Sequence, residues 1–208
     1  MISIALETSS HIIFKNDHIS IQLTGYPTED TFYILANTFY GTEGLRYRHQ
    51  INKDKIKNIL GPYFFTLYVQ GKAAGNFCLS ERTVQQNGIP LKAFYGRYLS
   101  ILPEYSGMGL GFLIKEKAYE YIRQRCTEPF IIYSFLDEDN SRSIKLSKKQ
   151  GNNLAGIYET VIFSRISPRI KEGFERIDNF KDTELPLLLQ NFYSRHALVN
   201  LEYAGYDD

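Results

Sequence analysis

Residues 103–111 read PEYSGMGLG and separate a segment of strand character from a segment of helical character. Residues 91–102 are rich in Tyr, Phe and Ile, which favour strands, and Pro103 ends that strand because proline cannot donate to a ladder. From Leu110 onward, apolar residues recur at helical spacing. Glycines at 107, 109 and 111 allow unusual backbone torsions. Such a turn leaves several N–H groups unpaired at the positive end of a helix dipole, so it predicts an anion-binding site.

Other glycine-rich motifs fit this stretch less well. The dinucleotide-binding fingerprint needs a parallel βαβ unit, whereas antiparallel hairpins are predicted before this turn. A phosphate-binding P-loop needs Gly-Lys-Ser or Gly-Lys-Thr after its glycines, which the sequence lacks here. A turn whose glycines serve packing alone stays open as an alternative.

The flanking patterns predict an α/β (α+β) domain with a mixed, mostly antiparallel sheet flanked by helices. Ile19 and Ile21 mark the first predicted strand, and Thr28 is the predicted N-cap of a helix that runs through Phe39 and ends at Gly41. The order continues with a helix over 53–60, strands over 63–69, 73–82 and 91–102, a turn at 85–88, a helix from 110 and a strand over 129–136. A helix capped by one of the residues 137–140 and reaching about Gln150, and a strand over 155–165, complete it.

Two of these elements carry specific expectations about burial. The strand over 129–136 is nearly continuous in apolar and aromatic residues, which predicts a central strand covered on both faces. The helix after the glycine turn is predicted to expose its polar positions to water, opposite an apolar stripe. These polar positions are Lys115, Glu116, Glu120 and Arg123.

Composition narrows the class of protein. Apolar residues make up 43% and charged residues 23% of the 208 residues, as in soluble globular proteins. Lys plus Arg number 24 and Asp plus Glu number 23, so a nucleic-acid partner is not expected. No apolar run approaches the length of a membrane span, and the two cysteines form no metal-binding motif. We therefore expect a cytoplasmic protein without a metal, with a core built largely from aromatic rings, since Phe and Tyr together are abundant.

The stretch over 101–111 resembles the signature of the GCN5-related N-acetyltransferases (GNAT), Arg/Gln-x-x-Gly-x-Gly/Ala. Gly109 and Gly111 match it, whereas Ser106 stands at the Arg/Gln position. Residues 140–151 resemble a second family element, Asn-x-x-Ala-x-x-Leu-Tyr-x-x-x-Gly. Asn140 matches there, whereas Ser147 stands where many members have a tyrosine that is proposed to protonate the departing thiolate. The resemblance covers roughly residues 17–165 and implies the family fold.

The resemblance also implies a ligand and its contacts. Acetyl-CoA, or another short acyl-CoA, would be the cosubstrate and a primary amine the acceptor, with direct attack of the amine on the thioester. Backbone amides of Leu99, Ser100 and Ile101 would hold the pantetheine arm, and Asn140 would reach the cosubstrate from the next helix. The diphosphate would lie against the amides of the turn, from Gly107, Met108, Gly109, Leu110, Gly111 and Phe112.

Catalytic residues are harder to assign. Glu81, near a strand end, is the first candidate for a general base, although it also fits a solvated charge paired with Arg82 or Arg97. Glu159 is the second candidate, and His49 fits a surface residue in a basic run. Tyr158 is the candidate general acid, with Tyr133 and Tyr105 as alternatives.

Two further hypotheses concern the whole chain. Residues 1–165 are expected to form the acyl-CoA-binding domain, and residues 166–208 a helical C-terminal extension that packs on the domain or on a partner, including a second copy in a homodimer. Ser106 and Ser147 motivate an alternative function, a regulatory module that binds acyl-CoA with weak catalysis. Among acceptors, a peptide N-terminus, a lysine, a polyamine and a small metabolite stay open, with polyamine least favoured.

Overall fold

The structure is a computed structural model, and it describes residues 10–39, 51–86 and 89–157. Its elements in chain order are β1 (His11–Lys15), β2 (Ile19–Thr24), α1 (Glu29–Asn37), α2 (Lys53–Lys57), β3 (Pro62–Val69), β4 (Lys72–Gln86), β5 (Ile89–Ile101), a 3-10 turn (Pro103–Tyr105), α3 (Leu110–Arg125), β6 (Phe130–Tyr133) and α4 (Ser141–Lys149). Of the described residues, 10–39, 51–84 and 91–152 form one compact unit, which contains helices α1 to α4.

The strands form a single mixed sheet in the order β1-β2-β3-β4-β5-β6. β1–β2, β2–β3 and β3–β4 are antiparallel pairs, whereas β5 and β6 run parallel. This parallel pair requires a crossover connection, which α3 supplies. The mixed sheet with flanking helices confirms the predicted fold class.

Helices cover both faces of the sheet, as neighbouring residues of β3 illustrate. Phe64 belongs to a cluster with residues of α1 and α2, whereas Phe65 belongs to a cluster with residues of α3. Successive side chains of a strand point to opposite faces, so α1 and α2 lie on one face and α3 on the other. Phe64, Phe65 and Phe77 are fully buried, which confirms the aromatic core.

Several predicted boundaries differ from the structure. The strand that contains Ile19 and Ile21 is the second strand, because the short β1 precedes it. Thr28 caps α1 as predicted. The helix nevertheless ends at Asn37, where the Asn37 and Thr38 side chains donate to the carbonyls of Tyr33 and Ile34. These bonds compete with backbone donors for carbonyls in the last turn of the helix, and Phe39 lies beyond it and is exposed.

Other predicted features fall outside the description or depart from it. Several predicted features lie outside the described residues. They are Gly41, the turn residues Asn87 and Gly88, most of the strand over 155–165, the boundary between residues 165 and 166, and the C-terminal extension. β6 is shorter than predicted, and its four residues are half-buried at the edge of the described sheet. The prediction that this strand is covered on both faces was therefore wrong.

Lys115 on α3 is the clearest departure from the expected burial. The apolar stripe is confirmed, because Leu110, Ile114, Ala118 and Ile122 are buried. Of the positions expected to face water, Arg123 is exposed and Glu116 and Glu120 are half-buried, but Lys115 is only 4% exposed. Helix α4 covers this side chain, and Lys115 Nζ donates to Ser147 Oγ at 3.4 Å. Helical periodicity within α3 could not reveal a neighbour that begins sixteen residues after α3 ends.

Burial of Lys115 should reduce stability near neutral pH. Burial lowers the pKa of Lys115 from 10.5 to about 8, because the charged amine loses its hydration. The unfolded chain keeps this proton up to a pH near the ordinary pKa of 10.5. The loss of unfolding free energy is therefore complete below about pH 8 and decreases as the pH rises toward 10.5. We expect Lys115→Met to raise the free energy of unfolding at pH 7 by on the order of 2 kcal/mol.

Urea denaturation of both proteins at about pH 7 and about pH 9.5 measures this difference, which should shrink at the higher pH. Lys145→Met, at an exposed lysine of α4, is the control and should show neither the gain nor its pH dependence. A Lys115→Met protein that is no more stable than the parent at pH 7 would contradict the expectation.

Candidate functional site

A cleft opens where β5 and β6 separate. The two strands pair only from Lys92 to Tyr95 on β5, opposite Phe130–Tyr133. Beyond this point β5 continues to Ile101, whereas the chain after Tyr133 leaves the ladder. The space between them has a volume of about 340 Å³, within the range of small-molecule sites. Ser134, Phe135 and Leu136 line it, which accounts for the apolar run that had suggested a longer strand.

Two residues of β5 shape the cleft. A Cβ atom on Gly96 would lie 2.5 Å from Ser134 Oγ, so glycine at this position allows the two segments of the chain to approach each other closely. Tyr98 has a φ of +55°, which side-chain-bearing residues rarely adopt. Its carbonyl accepts a hydrogen bond from the buried Asn76 side chain at 3.2 Å. The backbone of β5 is thus irregular where it borders the cleft, and such strain is found at functional sites.

The cleft is lined from both faces of the sheet. Asn52, Lys55 and Ile56 line it from the α2 side. Lys115, Asn140, Ser143 and Ser147 line it from the side of α3 and α4. Since α2 and α3 cover opposite faces of the sheet, the cleft spans the thickness of the sheet between β5 and β6.

The glycine turn follows β5 directly and presents free amides at the start of α3. Gly107 and Gly109 have φ values of +82° and +76°, and a Cβ on either would meet no atom within 4 Å among the described residues. The Phe112 amide donates to the Gly109 carbonyl at 3.1 Å, so it is not available to a ligand. The amides of residues 107–111 donate to no described backbone carbonyl. These donors lie at the positive end of a 16-residue helix.

The strand residues predicted to contact the cosubstrate differ in the direction of their amides. The Leu102 amide donates to the Ala74 carbonyl on β4 at 2.9 Å. Because amides alternate in direction along a strand, the Ser100 amide also points toward β4. The amides of Leu99 and Ile101 point the other way, toward the side from which β6 has separated.

Asn140 also lines the cleft, and it caps α4. Its side-chain oxygen accepts a hydrogen bond from the Ser143 amide at 3.1 Å, which leaves its amide nitrogen for a ligand. α4 packs on the first turns of α3, where a Cβ on Gly111 would lie 3.8 Å from the Leu146 side chain. The two resemblance segments, 101–111 and 140–151, are thus adjacent in the structure.

The structure does not bring Glu81 to the cleft. Its carboxylate accepts a hydrogen bond from Tyr63 at 3.1 Å and forms an ion pair with Lys92 at 3.0 Å. Burial, and then the Glu81 carboxylate, raise the pKa of Tyr63 above its ordinary value. The alternative interpretation was that Glu81 forms an ion pair. It does so, but its partner is Lys92 rather than Arg82 or Arg97. Glu81 and Lys92 lie on consecutive strands, β4 and β5, so this pairing depends on the register between the two strands rather than on spacing along one of them.

The remaining catalytic candidates are less informative. Tyr158, Glu159 and His49 lie outside the described residues. Tyr133 stacks on Tyr95 with ring centroids 5.2 Å apart, and Tyr105 lies in the 3-10 turn. Sequence reasoning missed Arg97 and Lys115, which both line the cleft. An arginine inside an aromatic strand was the available signal for Arg97.

Two negative observations apply to the described residues only. No group of three His, Cys, Asp or Glu side chains is placed to hold a metal ion there. None of the helices in 10–39, 51–86 and 89–157 is both long and apolar enough to cross a membrane.

Comparisons with known proteins give matches at the level of structure. No protein-family model matches the sequence, and no curated protein sequence matches it. An acetyltransferase from Trypanosoma brucei matches with a TM-score of 0.50 at 15% identity, over 70% of this chain and 99% of that chain. A ribosomal-protein-alanine N-acetyltransferase from Brucella melitensis biovar Abortus 2308 matches with a TM-score of 0.50 at 12% identity, over 70% of this chain and 99% of that chain. Together with the mixed sheet and the glycine turn, these matches show that the chain has the fold of the GCN5-related N-acetyltransferases.

Proposed function

We propose that the protein transfers an acetyl or other short acyl group from acyl-CoA to a primary amine. The observation that carries this proposal is the path along β5, from the cleft at residues 96–99 to the free amides of the glycine turn. An elongated ligand with an anionic segment at one end and a reactive group at the other suits such a path. Acyl-CoA has this layout.

The contacts follow the direction of the available donors. The diphosphate would lie against the amides of residues 107–111, where the helix dipole favours negative charge. The amides of Leu99 and Ile101 would hold the pantetheine arm, and the Asn140 side chain would donate to it from α4. The thioester would then lie in the cleft, with the amine arriving from the α2 side.

Amide formation requires that a proton be moved within the cleft. The neutral amine attacks the thioester carbonyl, the C–N bond forms, the C–S bond breaks, and the CoA thiolate leaves. The amine nitrogen must lose a proton in this step. No described carboxylate or histidine lines the cleft, whereas Lys115 does.

We assign the base role to Lys115 in place of Glu81. Burial lowers the pKa of Lys115 to about 8. About a tenth of the side chains are therefore unprotonated at pH 7, far more than for a lysine with the ordinary pKa. Its Nζ lies beside Ser147 at the α3 and α4 side of the cleft. Tyr158 remains our proposal for the group that protonates the thiolate.

Acyl-CoA binding can be tested by thermal-shift titration with acetyl-CoA and CoA. Both should raise Tm, because a ligand that binds only the folded state stabilises it. Gly109→Val should abolish the shift, since a side chain would occupy the space above the turn. Gly71→Val is the matched control, because Gly71 also has a φ of +76° and open surroundings, but lies in the turn between β3 and β4. If no CoA species shifts Tm of the parent protein, the transferase proposal is wrong.

The role of Lys115 can be tested by CoA release as a function of pH. With Lys115 as the base, kcat/KM should rise with pH through about 8, because only the neutral amine accepts a proton. Lys115→Arg and Lys115→Met should both lower kcat/KM by about 100-fold and remove this dependence. Glu81→Gln should retain activity and its pH profile. Full activity in Lys115→Arg would exclude Lys115 as the base, since arginine keeps its proton.

The same assay separates the enzyme from the regulatory module. Saturable acetyl-CoA binding without CoA release across a broad panel of amines would favour the module. Release that depends on one class of amine would favour the enzyme.

A further inference from the structure

The walls of the cleft are cationic. Lys55 from α2, Arg97 from β5 and Lys115 from α3 line it, and no carboxylate does so among the described residues. Charges of one sign on the walls of a cleft attract ligands of the opposite sign. The three cations come from three elements, so their convergence does not reflect the composition of any one segment.

Arg97 contacts aromatic rings but forms no ion pair with any carboxylate of the described residues. Its guanidinium lies 5.4 Å from the ring centroid of Tyr95 and 4.7 Å from that of Tyr98. One terminal nitrogen donates to the Tyr98 hydroxyl at 3.3 Å. The buried Nε has no hydrogen-bond partner in the part of the chain that the structure describes. A buried donor without a partner is costly, so this nitrogen marks a place for a ligand acceptor.

Lys55 adds a second charge at the same side of the cleft. α2 carries another lysine, Lys53, whose Nζ forms an ion pair with Glu29 at 3.2 Å. Within the described ranges Lys55 makes no such ion pair, and it lines the cleft instead. The two lysines therefore offer a comparison within one helix, since only one of them borders the candidate site.

The position of these cations relates them to the acceptor rather than to the CoA phosphates. Tyr98, on which Arg97 stacks, packs against the cluster beneath α1 and α2. Lys55 belongs to α2 itself. The free amides of the glycine turn, by contrast, belong to α3, which covers the opposite face of the sheet. An anion beside Arg97 and Lys55 would thus enter from the acceptor side.

We propose that the amine acceptor carries an oxyanion, a carboxylate or a phosphate, which Arg97 and Lys55 bind. This inference rests on the proposed function and specifies its substrate class. The planar guanidinium presents paired donors that match both oxyanions. Acceptors that carry only positive charge, such as polyamines, are repelled by Arg97 and Lys55.

Matched amines test the proposal on the unaltered protein. One pair is β-alanine and n-propylamine, and the other is phosphoethanolamine and ethanolamine, so each pair differs by its oxyanion. In the presence of CoA, the anionic member of at least one pair should raise Tm, and its neutral-tailed counterpart should not. The pair that responds identifies carboxylate or phosphate as the recognised group. With acetyl-CoA, kcat/KM for CoA release should be about 10- to 100-fold higher for the anionic member.

Variants connect this preference to the two residues. Arg97→Gln and Lys55→Gln should each remove most of the preference, whereas Lys53→Gln on the same helix should leave it unchanged. Arg97→Lys, which keeps the charge without the planar fork, should retain part of it. Acetyl-CoA should still shift Tm of all four proteins, which checks that each variant is folded.

The outcomes separate this inference from the proposed function. If acetyl-CoA stabilises the protein but neither anionic amine raises Tm above its counterpart, the oxyanion inference is wrong and the transferase proposal stands. Equal CoA release for both members of each pair would have the same meaning. If acetyl-CoA causes no shift but an anionic amine does so in an Arg97-dependent manner, the anion site stands and the transferase proposal fails.

Discussion

The site depends on the point at which β5 and β6 stop pairing. Up to Tyr95 the two strands share a ladder, and their aromatic side chains stack across it. From Gly96 onward the backbone of β5 loses this partner, so its outward-facing amides need other acceptors. Glycine at 96 permits the close contact with Ser134, and the positive φ of Tyr98 redirects the strand. A sheet that stayed paired to Ile101 would have no cleft and no free edge for a ligand.

The charged groups around this cleft differ from the charged pairs elsewhere in the unit. Glu81 and Lys92 satisfy each other, and Lys53 is paired with Glu29. Among the described residues at the cleft, the buried Lys115 contacts a serine hydroxyl and an aromatic ring but no anion, and the buried Arg97 Nε has no hydrogen-bond partner. Leaving these groups uncompensated reduces the stability of the free protein. Such a cost is commonly retained where a ligand supplies the missing partners.

The sequence was informative where local rules decide the structure. Proline and glycine at 103–111 predicted the end of β5 and the start of α3, and the cap candidates at 137–140 and Gly151 predicted the limits of α4. The sequence was uninformative where contacts join separate elements. The burial of Lys115 depends on α4, and the partner of Glu81 lies on the next strand. Side-chain bonds at Asn37 and Thr38, rather than the apolar pattern, ended α1.

The cleft is lined from both faces of the sheet, and this lining bears on the order in which two ligands could bind. Residues of α2 border it on one side and residues of α3 and α4 on the other. If acyl-CoA binds along the α3 side and the amine along the α2 side, as proposed, neither ligand has to leave before the other binds. Such an arrangement would favour a sequential mechanism through a ternary complex.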